Sequence, residues 1–491
     1  MQTVKDQIEQ LFQQYSNEAI TAIDKLPQAG SERHYFRIHT AGKNFIATYG
    51  ANVKENDSFI YFSEHFKKKG LATAHILAIN AAKDIYLQED FGDVSLLNKL
   101  EEKGYTTDAY DLYKKSLQQL ALLQVKGHEG LDYKKCLTNA AFGKQAIMAD
   151  LLYFKYYFLD ALRQPYDKQK LIDDFEALSN YLSHTEYKYF MFRDFQSRNI
   201  MVNPSPGEGQ GWAVHFIDYQ GGMKGAPQYD VASLLWQAKA NLPDDWKQHL
   251  LEDYMDAFEK VVEEPIDKDI FRSQYNGYVL IRLLQVLGAY GFRGLFERKA
   301  HFLTSIPLAL ENLKWFVHNQ SLGIAVPEFK KVLELCISDE VIQEFTPVQA
   351  TEQTPLQITI NSFSYKKGIP ADVTDNGGGY VFDMRGILNP GRIEIYKTQS
   401  GLDKPVKDFL EQQTDMPLFL NGVFSVIDIS VSEYIKRNFS SLMINFGCTG
   451  GQHRSVYAAE ALARHLRNKF KVKINLQHTN KDNWKTEPPR P

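Results

Sequence analysis

Three oxygen-bearing side chains stand in order beside two short apolar runs. Asp194 and Asn199 lie in "FRDFQSRNIMV", and Asp218 ends the apolar run of "AVHFIDYQGG". A loop carboxylate can accept a proton from a substrate hydroxyl, while an amide oxygen and a second carboxylate hold one metal ion. Phosphoryl transfer needs this set because the protein mainly positions the reactants and neutralises charge. The spacing of Asp194 and Asn199 also matches the catalytic-loop pattern D-x-x-x-x-N.

A second motif lies near the C-terminus, in "LMINFGCTGGQHRSV". An apolar strand runs into the glycine-rich turn at residues 447–451, and a helix is predicted to begin near His453. Backbone N–H groups of such a turn converge on an anion, and the helix N-terminus adds about half a positive charge. Arg454 and Ser455 lie in the first helical turn, where they can reach a phosphate. We therefore favour an anion site over a simple packing turn.

Cys448 lies at the end of that strand and admits two interpretations. It could be a nucleophile in a phosphatase-like loop of the form C-x-x-G-x-x-R, or it could be a structural cysteine that lines the pocket. We favour the structural, pocket-lining role.

The elements around the first motif are predicted from hydrophobic periodicity. Short strand-like runs, "HYFRIHT", "KNFIATYG" and "DIYLQEDFGDVSLL", surround a helix-period stretch, "DSFIYFSEHFKKKG". Residues 108–183 and 232–318 are mostly helical in pattern. The order is a small β-rich lobe followed by a large helical lobe, with the first motif at their junction.

The last 120 residues alternate strands and helices. "LQITINSFS", "GGYVFDMRG" and "SLMINFGCTGG" are predicted strands that end in loops, and "KPVKDFLEQQ" and "HRSVYAAEALARHLRNKF" are predicted helices. This pattern predicts an α/β domain with its loops at the strand C-termini, where ligands usually bind. We predict a first domain at 1–337, a linker at 338–355, the α/β domain at 356–480 and a polar tail at 481–491.

Composition excludes several classes of protein. The 56 Lys and Arg residues nearly balance 60 Asp and Glu residues, for a formal net charge of −4, so no basic domain suggests a nucleic-acid partner. No apolar run reaches the roughly 18 residues of a membrane span, and the N-terminus lacks a signal-peptide core. Three widely spaced cysteines, without a CxxC pair, predict a reducing cytoplasmic location without disulfides or zinc.

The stretch "FRDFQSRNIMV…FIDYQGGMKGAPQYDVASLL" resembles the aminoglycoside-phosphotransferase family of small-molecule kinases. Within that family it is most similar to the anomeric sugar kinases that phosphorylate N-acetylmuramate and N-acetylglucosamine at C1. The resemblance covers residues 20–320 and implies an α+β bilobal protein-kinase-like fold with ATP and Mg²⁺ as cofactors. By match, Asp194 is the catalytic base, Asn199 and Asp218 are magnesium ligands, and Asp230 braces the catalytic loop.

The resemblance also implies a nucleotide site. "YLQEDFGD" resembles the segment between the two lobes, where adenine contacts backbone, and it supplies Gln88, Glu89 and Asp90. "GSERHYFRI", residues 30–38, resembles the phosphate-covering loop, and it supplies Arg33 and Arg37.

Two positions depart from the kinase pattern. Phe192 stands where the family has a mainly structural histidine, and Ala47 or Thr48 stands where a strand lysine usually binds phosphates. The arginines of residues 30–38 are the predicted substitutes, because guanidinium binds phosphate in a bidentate geometry.

"GCTGGQHRSV", with "SFSYKKGIP", "FDMRGILNPGR" and "SGLDKPVKDFL", closely resembles the C-terminal domain of RapZ, the RNase adapter protein. The resemblance covers residues 355–480 and implies binding of glucosamine-6-phosphate. The family has a histidine after its Asn-Pro pair, whereas Gly391 and Arg392 follow Pro390 here. By match, the pocket residues are Asp383, Arg385, Thr449, Gly450 and Arg454.

Together these resemblances predict a cytoplasmic, ATP-dependent sugar kinase in cell-wall amino-sugar salvage, with a C-terminal domain that senses an amino-sugar phosphate. The alternative is a non-catalytic sensor or adapter that binds nucleotide and glucosamine-6-phosphate and regulates a partner protein. Antibiotic phosphorylation is disfavoured, because a polycationic drug requires an acidic pocket. We expect no nucleic-acid or membrane partner.

Overall fold

The computed structural model describes residues 3–26, 33–204, 211–297, 300–374 and 378–485. The chain divides into two compact units. The first comprises Met1–Ala289 and Leu308–Ile337, and the second comprises Tyr290–Pro307 and Ser338–Pro491.

The first unit begins with a small lobe of five strands and two helices. Its elements are α1 (Val4–Tyr15), β1 (Ile20–Lys25), β2 (His34–Thr40), β3 (Asn44–Tyr49), α2 (Val53–Lys68), β4 (Ile76–Ile79) and β5 (Ile85–Glu89). The strands form one antiparallel sheet in the order β1-β2-β3-β5-β4. Helix α1 begins with a capping box between Thr3 and Asp6, and it packs Ile8 and Phe12 into the sheet core.

The large lobe of the first unit is mostly helical. Its elements are α3 (Leu96–Lys103), α4 (Thr107–His128), α5 (Lys144–Phe154), α6 (Lys168–Ser183), β6 (Tyr189–Met191), β7 (Ile200–Pro204), β8 (Trp212–Phe216), β9 (Met223–Gly225), α7 (Gln228–Leu235), α8 (Asp244–Val262) and α9 (Lys268–Tyr290). After α10 (Ala300–Leu303), which belongs to the second unit, the chain returns to this lobe with α11 (Ile306–Asn319) and α12 (Pro327–Cys336). Two antiparallel strand pairs, β6 with β9 and β7 with β8, lie among these helices. The loops that connect these strands contain the first sequence motif.

The second unit contains a four-stranded parallel sheet. Its further elements are α13 (Asp339–Phe345), β10 (Gln357–Ser364), β11 (Tyr380–Asp383), α14 (Lys404–Gln412), α15 (Met416–Lys436), β12 (Ser441–Cys448), α16 (Arg454–Phe470) and β13 (Lys473–His478). The strand order is β11-β12-β10-β13, with all pairs parallel. Alternate residues such as Ile358, Ile360 and Ile444 are buried against α14, α15 and α16.

The predicted fold class is confirmed: a small β-rich lobe precedes a large helical lobe, and a separate parallel α/β unit follows. The predicted linker at 338–355 needs correction. It contains α13, its Val348 packs against the core of the second unit, and its Ala350 N–H donates to the Phe470 carbonyl at 2.7 Å. Much of this segment therefore belongs to the second unit.

Two helical stretches, Lys268–Phe296 and Met416–Lys436, are long and apolar enough to cross a membrane by length and composition alone. Buried core helices of globular proteins pass the same test, and more than half of the first stretch's apolar window is buried. The two stretches are therefore weak evidence for a membrane span.

Candidate active site and anion-binding loop

The catalytic loop lies between β6 and β7, and Asp218 follows β8. Both loops contain a residue in the left-handed backbone region, Arg193 at φ +81° and Asp218 at φ +71°. Such conformations are uncommon outside glycine and cluster at functional sites. The strand pairs fix both ends of each loop, so the chain can maintain this backbone.

The predicted triad comes together. The Asn199 Nδ2 donates to the Asp194 carbonyl at 3.0 Å and to the Asp218 Oδ2 at 3.4 Å. This orientation leaves the Asn199 Oδ1 for a metal ion. The Gln220 Nε2 donates to the other Asp218 oxygen at 2.8 Å, which further fixes that carboxylate.

These groups fit a magnesium ion of the kinase type. Mg²⁺ usually binds one or two carboxylates together with substrate phosphates and water, and needs no protein cage. Accordingly, the described residues include no cluster of three or more His, Cys, Asp or Glu side chains suited to a metal. Asn199 and Asp218 supply the two oxygen donors that such a site requires.

Asp230, in α7, is fully buried beneath the catalytic loop. Its carboxylate accepts the backbone N–H of Phe192 at 2.8 Å, the backbone N–H of Arg193 at 2.9 Å and the Gln124 amide at 2.8 Å. Burial raises the pKa of Asp230 to about 7, although these hydrogen bonds act to lower it. The geometry is that of a brace for the loop, the role that the sequence predicts.

Sequence reasoning missed Arg282. This buried arginine of α9 places its Nη1 3.2 Å from the Asp194 Oδ1, and the Asp194 side chain is 51% exposed. The guanidinium thus fixes one carboxylate oxygen while the other can face a substrate. The available signal was a lone arginine in the apolar run "YVLIRLLQVLGAY".

Phe192 has the structural role expected for its position. Its ring packs edge-to-face against Phe195, Phe216 and Tyr219. Tyr219, the residue after Asp218, in turn stacks on Phe59 of α2 at 4.7 Å and hydrogen-bonds Ser63 at 2.6 Å. Aromatic packing therefore links the Asp218 loop to α2.

Arg33, the first of the two predicted phosphate-binding arginines, is buried and pairs with α2. Its Nε lies 3.3 Å from a Glu55 carboxylate oxygen on α2, and its side chain is 3% exposed. The Tyr35 hydroxyl interacts with this guanidinium, and burial, with a contribution from the Asp218 carboxylate, raises the pKa of Tyr35. The glycine that opens the predicted phosphate loop, at residue 30, lies outside the described residues.

Arg37 does not fit its predicted phosphate role. Its guanidinium pairs with Asp90 at 2.6 and 3.1 Å and with both oxygens of Asp93 at 2.8 Å. Two carboxylates already neutralise this cation. We therefore reassign Arg37 to holding β2 against the segment between the lobes.

The predicted adenine contacts Gln88 and Glu89 lie within β5 and at its end. Gln88 pairs with Ile46 on one side and Ile76 on the other, so β5 has no open edge there. The Glu89 N–H donates to the His75 carbonyl at 3.2 Å. Glu89 and the residues that follow β5, from Asp90 to Gly92, line an open pocket, and adenine binding there stays a prediction.

The second candidate site lies where three parallel strands end. Ser364 of β10 is in register with Cys448 of β12, and Asp383 of β11 is in register with Gly447. The glycine-rich loop follows β12 directly, and α16 begins at Arg454. Ligands usually bind at this edge of a parallel sheet.

Side chains behind the loop hold its backbone. The Ser364 hydroxyl donates to the Thr449 carbonyl at 2.8 Å, and the Asn480 amide donates to the Gly450 carbonyl at 2.7 Å. Gly451 has φ +60°, and a Cβ there would lie 2.9 Å from the Ser364 nitrogen, so only glycine fits. A Cβ at Gly450 would meet nothing within 4 Å, and Thr449 and Gly450 are exposed. Hydrogen bonds to its carbonyl groups therefore fix the backbone of the loop, while Thr449 and Gly450 are exposed to solvent.

Arg454 lies at the floor of this loop and is 4% exposed. Its Nη1 donates to the Arg385 and Ile387 carbonyls at 3.1 and 2.7 Å, while its Nε has no hydrogen-bond partner among the described residues. Burial lowers the pKa of Arg454, and the charges of Cys448 and Asp383 oppose that change. Arg454 thus contacts the backbone of Arg385, another of the predicted pocket residues.

Arg385 and Gly391 complete this edge. The Arg385 guanidinium pairs with Asp383 at 2.6 Å and lies 4.0 Å from the Tyr365 ring centroid. Gly391 packs on the ring of His453, because a Cβ there would lie 3.1 Å from that ring's Cε1. The His453 Nε2 donates to the Tyr396 carbonyl at 2.9 Å. His453 thus fills the space beside Gly391.

Known protein families match the regions of both candidate sites. Residues 25–266 match the phosphotransferase enzyme family, and residues 356–482 match the RapZ C-terminal domain. The chain joins a phosphotransferase-family domain to a RapZ C-terminal domain. The predicted combination of families is confirmed.

Curated relatives share part of the chain. A nucleotide-binding protein of Endomicrobium trichonymphae is 38% identical over 146 residues, which cover 29% of this chain and 49% of that protein. One of Glaesserella parasuis is 37% identical over 185 residues, 37% of this chain and 62% of that protein. The chain thus spans about half to three fifths of the length of these relatives.

Solved structures of small-molecule kinases are similar to the part of the chain that contains the phosphotransferase-family domain. Choline kinase LicA of Streptococcus pneumoniae has a TM-score of 0.42 and 13% identity, over 64% of this chain and 98% of that one. An ethanolamine kinase of Plasmodium vivax has a TM-score of 0.41 and 12% identity, over 60% of this chain and 81% of that one.

Proposed function

We propose that the phosphotransferase-family domain is an ATP-dependent sugar kinase. Its proposed acceptor is the C1 hydroxyl of N-acetylmuramate or N-acetylglucosamine in cell-wall sugar salvage. The observation that carries this proposal is the convergence of Asp194, Asn199 and Asp218 through the two hydrogen bonds of Asn199. Two adjacent loops thereby present one base and two metal-binding oxygens.

Each residue has a defined task in this proposal. Asp194 orients the acceptor hydroxyl and accepts its proton, while Arg282 keeps the carboxylate in position. Asn199 and Asp218 would hold Mg²⁺, which neutralises charge on the nucleotide phosphates when bound. Arg33 supplies the cation that the missing strand lysine would supply, and Glu55 orients it as a helix glutamate orients that lysine in kinases.

We propose that the RapZ C-terminal domain binds glucosamine-6-phosphate or a similar amino-sugar phosphate. The glycine-rich loop and Arg454 would hold the phosphate, and the Asp383–Arg385 pair would contact the sugar. All three cysteines are free and buried, which is compatible with the proposed cytoplasmic location.

One observation favours a second candidate function. Ala47 and Thr48, both fully buried, occupy the strand positions where kinases carry the phosphate-binding lysine. A protein that binds nucleotide and sugar phosphate without phosphoryl transfer, and regulates a partner, would tolerate that change. The relatives named nucleotide-binding protein are compatible with this alternative.

The test is ADP release from ATP and Mg²⁺ with a panel of sugars and aminoglycosides. Asp194→Asn should lower turnover by about 10²–10⁴-fold, because it removes a catalytic base, while circular dichroism shows an unchanged fold. Asp245→Asn, which changes an exposed carboxylate of α8, is the matched control and should retain full turnover.

Equal ADP release by Asp194→Asn and the parent would exclude the kinase proposal. No ADP release above background with any acceptor would favour the regulatory alternative.

A further inference from the structure

The anion loop of the RapZ C-terminal domain contains a thiol that phosphate binding does not require. The Cys448 Sγ accepts the Gly451 N–H at 3.2 Å and lies 3.2 Å from the Ser455 Oγ. Both groups can donate to a thiolate, and thiolate is the nucleophilic form of cysteine. Cys448 is the last residue of β12, and its sulfur lies beside Ser455 in the first turn of α16.

The spacing of the loop suits attack on phosphorus. Five residues separate Cys448 from Arg454, with Gly451 at the third of them and Ser455 directly after the arginine. The left-handed backbone at Gly451 turns its N–H back toward the sulfur. The strand end thus places the sulfur at the floor of the loop that would hold a phosphate.

A second, independent feature points to an anionic ligand. Arg454 is almost completely buried, yet its Nε has no hydrogen-bond partner among the described residues. Two backbone carbonyls fix its Nη1, so the guanidinium is held in place beside Cys448. A buried cation with an unused donor can receive phosphate oxygens beside the sulfur.

We propose that the RapZ C-terminal domain of this chain hydrolyses phosphomonoesters through a covalent phosphocysteine at Cys448. This activity rests on the phosphate-binding role proposed above for the same loop. It replaces the structural role that the sequence favoured for this cysteine.

The reaction balances with water as the only co-reactant. The Cys448 thiolate attacks phosphorus, and the bond to the leaving oxygen breaks with its electron pair. That oxygen takes a proton from water at the exposed rim of the loop. A second water then attacks phosphorus, the P–S bond breaks, and thiolate, inorganic phosphate and a proton are released, so the net reaction consumes one water molecule.

The charge of Asp383 limits the range of substrates. A hydrogen bond from Arg385 holds the pKa of Asp383 below its usual value, so this carboxyl is a poor proton donor while the pair persists. Esters whose leaving oxygen needs little protonation should therefore react fastest. Para-nitrophenyl phosphate is such an ester and is the appropriate probe.

The experiment measures para-nitrophenol release by the full chain and by Cys448→Ser. We expect the variant to lose activity by at least about 100-fold, because it removes the nucleophile. Cys336→Ser changes a buried free cysteine of the other unit and should retain the rate. Parent protein quenched in acid should yield a phosphorylated peptide that contains Cys448. Hydrolysis that persists in Cys448→Ser would overturn the proposal.

Calorimetry with glucosamine-6-phosphate separates this activity from simple binding. If parent and Cys448→Ser both bind the sugar phosphate, but the parent neither hydrolyses the probe nor forms phosphocysteine, the loop is a binding site only. That result would overturn this inference and leave the proposed binding function intact. If the parent does not bind the sugar phosphate, the proposed ligand is also wrong.

Discussion

In the kinase that we propose, the chemistry depends on Asp194 and Arg33, and each of them lies in an ion pair whose arginine is buried. Arg282 holds one oxygen of Asp194, and Glu55 holds the guanidinium of Arg33. A partially desolvated ion pair restricts the motion of both side chains, but removing the two charges from water costs free energy. In this site the restriction is useful, because phosphoryl transfer depends on positioning.

Arg33 provides a test of the missing lysine. Arg33→Met should lower kcat/KM for ATP by about 10–100-fold, since a charge-assisted hydrogen bond contributes roughly 1.5–3 kcal/mol. Arg33→Lys should recover part of this loss by restoring the charge. Steady-state kinetics with varied ATP measure both effects.

The matched control for Arg33 is Arg272→Met, which removes a surface arginine paired with Glu252. Surface pairs contribute little, so its kinetics should match those of the parent. An unchanged kcat/KM in a folded Arg33→Met protein would assign Arg33 a purely structural role.

At the scale of elements, Asp230 joins helix α7 to the catalytic loop. One carboxylate satisfies two consecutive backbone N–H groups that would otherwise be buried without partners. It therefore fixes the backbone at Arg193, directly before Asp194, the proposed catalytic base. A helix in the core thus determines the conformation of a functional loop.

Asp230 also gives the protein a defined pH dependence. Burial raises its pKa to about 7 in the folded state, whereas an unfolded chain releases this proton near pH 4. Between these values the folded state binds more protons, so the contribution of Asp230 to the free energy of unfolding falls as pH rises. Asp230→Asn should therefore destabilise the protein more at pH 5 than at pH 7.5, as measured by urea unfolding.

Ser63→Ala is the control for that titration. It removes a buried hydroxyl that bonds Tyr219 but carries no titrating proton in this range. Its effect on the free energy of unfolding should be equal at both pH values. A pH-independent effect of Asp230→Asn would contradict the raised pKa.

At the scale of the whole molecule, the two proposed ligand sites lie in different compact units. The second unit has its own buried core, built from β10, β12 and the helices α14, α15 and α16. A ligand that binds only the folded form of one unit stabilises that unit by mass action. The two proposed ligands should therefore act on different parts of the unfolding transition.

We expect calorimetry to resolve two unfolding transitions. A nonhydrolysable ATP analogue with Mg²⁺ should raise the temperature of one transition, and glucosamine-6-phosphate should raise the temperature of the other. At a hundredfold excess over Kd, each ligand should add about 2.7 kcal/mol to the free energy of unfolding of its unit. Asp218→Asn should remove only the nucleotide effect, and Arg454→Ala only the sugar-phosphate effect. A single transition that both ligands raise would show that the units unfold together.

The sequence by itself determined the fold class, the two families and the main chemical groups. Period-2 and period-3.6 patterns are local, so β2, β3, β5, α2 and α16 followed from them. Motif spacing is local as well, which is why Asp194, Asn199 and Asp218 could be found before their side chains were seen together.

Only the tertiary structure decided which partner each buried charge has. Arg33 and Arg37 look alike in "ERHYFRI", yet Arg33 pairs with Glu55 of α2 and Arg37 is bound by Asp90 and Asp93. Arg282 reaches Asp194 across 88 positions of sequence. Such pairings depend on long-range packing, and no local pattern of residues encodes the partner of a buried charge.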